Sequence, residues 1–231
     1  MLGFTLSKIN LLIFVIAIFT IISYFFFGLS EVAIERIAGD YVRVIGEDAQ
    51  TIIGSQALCE SKTFYLRPAL NTSTSSTYNK GLYYLLLIKS SPFEKTNPDG
   101  TKQNLNMVIF SISKRKQPDS SIAAFSFSTD AEVNFFDFDD LSDAKDESDG
   151  YASLSLSTEG TKNDPQRAPA PGDAFILVKE VQKGKKMVYF IPCSSSQQGV
   201  ICKTFFEKAG QRVHGKGNSF NCVPERMYSA G

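Results

Sequence analysis

Few side chains in this 231-residue chain could do chemistry. They are one histidine, His214, four cysteines (Cys59, Cys193, Cys202 and Cys222) and a run of carboxylates, Asp137, Asp139, Asp140, Asp143, Asp146, Glu147 and Asp149. A Ser-His-Asp site would have to use His214, which lies in a glycine-rich tail without the strand-turn-helix elbow that exposes a nucleophile. With no second imidazole to form a metal pair, His214 reads as a solvent-exposed loop residue. Gly215-Lys216-Gly217 lacks the preceding strand and following helix of a phosphate-binding loop. The acidic run has the oxygen density that calcium wants, about six to eight ligands, but not the glycine and glutamate spacing of the twelve-residue calcium loop. It reads instead as a solvated acidic loop, whose free carboxylates cannot have their pKa values pushed apart for catalysis. The expectation is a protein with no catalytic residue, no cofactor and no metal site, and hence not an enzyme.

The cysteines read as up to two disulfides with three connectivities, because the paired C-x-x-C spacing of a four-thiolate metal site is absent. The preferred pairs are Cys193–Cys202, closing a short hairpin, and Cys59–Cys222, tying the end of a stem helix to the C-terminal tail. A Cys-His nucleophile is set aside on the same ground. Disulfides imply an oxidising compartment.

The elements that would position these residues begin with Ile9 to Leu29, an uncharged run of about 21 residues that would make roughly 31 Å of helix, a bilayer's hydrocarbon thickness. Retention as an anchor is expected, since the run is too long for a secretory signal core and has no small-x-small cleavage site. Lys8 before the run and Glu31 and Glu35 after it predict a cytoplasmic N-terminus and an extracytoplasmic body at the cell membrane. From Glu31 to Gly54 apolar residues recur at helical spacing, with Ile34, Ile37, Tyr41, Ile45 and Ile52 expected to meet a sheet.

The remainder reads as strands. Leu82 to Ile88 suits a buried central strand, and Asn97-Pro98-Asp99-Gly100 is a turn. Leu105 to Ile112, Ile122 to Thr129 and Val133 to Phe138 follow as strands. Ala174–Gln182 and Lys186–Pro192 form a hairpin around Lys183-Gly184-Lys185, with Val200 to Phe206 as its third strand. Lys114-Arg115-Lys116 reads as a solvated turn, and Asn71-Thr72-Ser73 as a glycosylation acceptor at Asn71 if the body is outside. The predicted fold class is α+β: a long N-terminal helix, membrane-spanning in its first half and amphipathic in its second, packed on an antiparallel sheet of about six to eight strands. Its divisions are a transmembrane anchor at 1–30, a stem at 31–54 and a β-rich extracytoplasmic domain at 55–231, with an acidic, proline-rich insertion at about 139–172. Lys plus Arg and Asp plus Glu both number 24, so the balanced charge speaks against nucleic acid as a partner.

Gly3-Phe4-Thr5-Leu6, followed by an apolar helix and an amphipathic stem, resembles the N-terminus of a type IV pilin or pseudopilin. The resemblance implies cleavage after Gly3, Phe4 as the mature N-terminus, and packing of the apolar half-helix in a filament core. Lys8 stands where that family usually has a glutamate. The function so implied is a membrane-anchored structural subunit of a filament or pseudopilus, its partners being other copies through the apolar helix. The alternative is a monotopic cell-surface binding module, anchored by an uncleaved helix, that binds an envelope or protein partner.

Overall fold

The computed structural model describes residues 2–66, 84–114, 117–136, 145–146, 151–157, 174–193 and 200–224; within these, the side chains of 2–10, 25–31 and several strand ends are not described. Helix α1 runs Leu2–Gly54. Nine strands follow among the described residues: β1 Cys59–Tyr65, β2 Tyr84–Thr96, β3 Lys102–Lys114, β4 Gln117–Thr129, β5 Glu132–Phe135, β6 Lys145–Asp146, β7 Tyr151–Ser157, β8 Ala174–Gln182 and β9 Lys185–Cys193. Helix α2, Val200–His214, comes last.

The strands form two sheets, ordered β1-β8-β9-β5 and β4-β3-β2-β7-β6. All their pairings are antiparallel except β5 with β9, which is parallel. The β8–β9 turn is a two-residue hairpin in which Lys183 and Gly184 take φ of 49° and 81°, the pair of positive values that a type I′ turn requires. At the β2–β3 tip, Gly100 at φ 82° closes the predicted turn, and Asp99 accepts from the Thr101 hydroxyl (2.6 Å) and N–H (3.0 Å). Those bonds, the hydroxyl's first, hold the Asp99 carboxyl below its ordinary range.

Alternation along β8 divides the body into layers. Phe175 and Leu177 face a core shared by both sheets, where Phe110 of β3 lies 6.5 Å from Phe175 and 6.0 Å from Phe190 between ring centroids. Ala174, Ile176 and Val178 face the other way, against Cys202, Phe206 and Ala209 of α2. With both faces covered, β8 reads as a nearly continuous apolar run, as such strands do. The stem of α1 enters the shared core through Ala38, Tyr41, Val42, Ile45, Ala49, Ile52 and Ile53, packing chiefly on β4 and β3. Tyr84 donates to Tyr41 across this contact at 3.3 Å, so two buried hydroxyls serve each other.

The α+β expectation is corrected. The protein is mostly β, its strands divided between two sheets, one of them mixed, rather than gathered in one antiparallel sheet. Val200 to Phe206, expected as a strand, lies in α2: Cys202, Phe206 and Ala209 recur at intervals of four and three, and this period-3.6 face covers β8. The membrane-spanning half is also corrected. Among the described residues no helix is long and apolar enough to cross a membrane. The membrane-anchored localisation falls with it, and the setting rests on the disulfides, which fit an oxidising one.

Candidate functional site

Two regions have side chains that invite a partner or a reaction. The first is the stretch Leu11–Tyr24 of α1. Consecutive residues 11 to 16 are apolar and more than half exposed, and Phe19, Ile21 and Tyr24 continue the surface at 71%, 58% and 81%. Six consecutive helical residues at about 100° steps go more than once round the axis, so the stretch is apolar on every side. A helix apolar all round is normally buried. Its one polar group here with a described bond, the Thr20 hydroxyl, donates to the Ile16 carbonyl at 2.8 Å and so turns inward to its own helix.

The second region lies where β8 meets the C-terminal segment. Glu180 is 1% exposed. Its Oε1 accepts from the Asn221 N–H at 2.7 Å, and its Oε2 accepts from Gln182 Nε2 at 3.1 Å and lies 2.8 Å from His214 Nε2. Cys59 Sγ is 3.5 Å from Oε1, and Cys59 is bonded to Cys222. A buried carboxylate is tolerated only with such partners. His214, at the last turn of α2, is held edge-on to the Phe220 ring at 5.5 Å between centroids. Lys179, also 1% exposed, points to the opposite face of β8, where its Nζ donates to the Ser55 carbonyl (2.9 Å) and to the Ala57 carbonyl. Burial, and next the charge of Lys186, lower the Lys179 pKa, with Glu60 opposing. Adjacent residues of one strand therefore anchor the end of the stem on one face and the C-terminal segment on the other.

The expected cysteine pairs, Cys59–Cys222 and Cys193–Cys202, are both present. His214, read from the sequence as an exposed loop residue, is instead part-buried against Glu180. Glu180 was missed; its signal was a Lys-Glu pair inside the apolar run AFILVKEVQ. Gly3 and Phe4 fall within α1 but outside the described side chains, while Asn71 lies outside the described residues, as do all of 137–149 except Lys145–Asp146. No family model, curated protein or solved structure matches the chain.

Proposed function

We propose that the chain is a structural subunit, pilin-like in its N-terminal design, that assembles with its own copies through the apolar stretch Leu11–Tyr24. The supporting observation is that this stretch is apolar around its whole circumference and continuous with a stem seated in the head. A helix of that kind is satisfied only by neighbours on all sides, and a bundle of equivalent helices supplies them; one binding groove on a partner would cover a single side. The balanced charge removes long-range repulsion between copies. The disulfide-tied head would face outward in an oxidising setting, displaying its loops.

The test is the size distribution of the full-length protein by analytical ultracentrifugation and electron microscopy, beside Ile16→Glu. The reading expects wild type to form elongated assemblies, and the variant to sediment as a monomer whose head melts unchanged. A wild-type protein that stays monomeric at every concentration, or a variant that assembles equally well, defeats it.

A further inference from the structure

We propose that opening the Cys59–Cys222 disulfide turns the Glu180 cluster into a binding site for a divalent cation of zinc type, held by both sulfurs, His214 Nε2 and the Glu180 carboxylate. The inference is independent of the filament reading and rests on what already converges there. Cys59 Sγ and His214 Nε2 stand 3.5 Å and 2.8 Å from the two oxygens of one carboxylate, and Cys222 is bonded to Cys59. Two sulfurs, an imidazole nitrogen and a carboxylate oxygen make the four-donor mixture that suits tetrahedral zinc. The carboxylate is already oriented from behind: the Asn221 N–H holds Oε1, and Gln182, itself fixed on the Tyr189 hydroxyl at 3.1 Å, holds Oε2. Such outer partners are what tune and aim metal ligands. With the disulfide closed, no group of three such side chains is placed to hold a metal among the described residues.

Access and charge argue for the same site. Cys193 and Cys202 are fully buried, whereas Cys59 and Cys222 are half-buried, so a reductant reaches the Glu180 disulfide first. Reduction brings two sulfurs beside a carboxylate that is 1% exposed. Concentrated anionic donors away from water call for a cation. In the reaction, a dithiol gives two electrons and two protons to Cys59–Cys222 and becomes a disulfide itself. The divalent ion then displaces both thiol protons as two metal–sulfur bonds form, and the proton that His214 Nε2 shares with Glu180 moves to Nδ1 or to solvent, which frees the Nε2 lone pair for the metal.

The experiment uses full-length protein reduced with a dithiol, desalted anaerobically, counted for thiols and titrated with cobalt(II). The expected result is two thiols and one cobalt per chain, with a thiolate-to-cobalt charge-transfer band, the visible bands of tetrahedral cobalt, and displacement by zinc. Unreduced protein should show none of these. Cys193→Ala with Cys202→Ala should leave the spectrum intact, which separates site formation from folding. His214→Ala should weaken binding at least about tenfold. Absence of the charge-transfer band, or equal affinity without His214, overturns the proposal.

Discussion

The ring of Phe125 occupies the space that a side chain at Gly46 would need: a Cβ there would come within 2.1 Å of Phe125 Cδ1. This glycine lets the stem approach β4 closely enough for Ile45 and Ala49 to be buried in the shared core. Gly46→Ala should therefore destabilise, overpacking costing about 1–3 kcal/mol while helix propensity returns about 1. Gly39, about two turns earlier, would meet nothing within 4 Å. There Gly39→Ala should stabilise by up to about 1 kcal/mol. Urea denaturation of the two variants side by side checks the contact, and equal shifts would count against it.

Lys179 gives an unusual pH dependence. Its folded-state pKa lies below the ordinary 10.5, with burial the largest cause. Between those two values the unfolded chain holds more protons, so the lysine's contribution to stability rises with pH. Lys179→Met strands the Ser55 and Ala57 carbonyls and should cost about 1–3 kcal/mol near pH 8. The gap between wild type and variant should widen as pH climbs toward 10.5. A gap that narrows over that range would place the ammonium in a stabilising ion pair instead.

Glu180 should matter through the groups it leaves behind. Glu180→Leu strands the Asn221 N–H and His214 and leaves Gln182 Nε2 only its bond to the Tyr189 hydroxyl, at a cost of about 2–4 kcal/mol. Glu180→Gln keeps one acceptor oxygen and should cost clearly less. Hydrogen exchange at the Asn221 amide should accelerate in both variants, more in Glu180→Leu. Unchanged exchange there would mean that the disulfide alone seats this segment.

The two disulfides close loops of very different length, with sequence separations of 163 and 9. On the chain-entropy account, loss of Cys59–Cys222 should cost about 5 kcal/mol and loss of Cys193–Cys202 about 2.6. Paired alanine variants measured in guanidinium test the order. A larger loss from the short loop would show that packing around Cys193 and Cys202, both fully buried, outweighs loop entropy.

The parts of the fold legible in the sequence were those with an uninterrupted period or turn chemistry. The stem showed its buried face at Tyr41, Ile45 and Ile52, with Ile37 packed partly buried against them, and the turns at Asp99-Gly100 and Lys183-Gly184 announced themselves by residue type. Val42 and Ile53, not among the positions expected to meet a sheet, are buried in the same core. Sheet partition was illegible for another reason: β5 pairs with β9 across more than fifty residues of chain, and nothing local to Glu132–Phe135 specifies that partner. Residues 200–206 are apolar, β-branched and aromatic enough to pass as a strand, and only their place over β8 makes them helical. The membrane reading is corrected because no helix among the described residues is long and apolar enough to cross a membrane. The Glu180 site was hidden because its members come from β1, β8, α2 and the tail, which only the folded topology brings together.

Cys59 lies five residues beyond the last residue of α1, and Cys222 near the end of the described chain. Tension entering the head along α1 and leaving by the C-terminal tail therefore passes through a single covalent link. The intervening stretch, about 570 Å if drawn out at ~3.5 Å per residue, is removed from the line of force. Pulled this way, the head behaves as an inextensible bead rather than an unravelling thread. Reduction would convert the same joint into a release that lets the sheets peel apart.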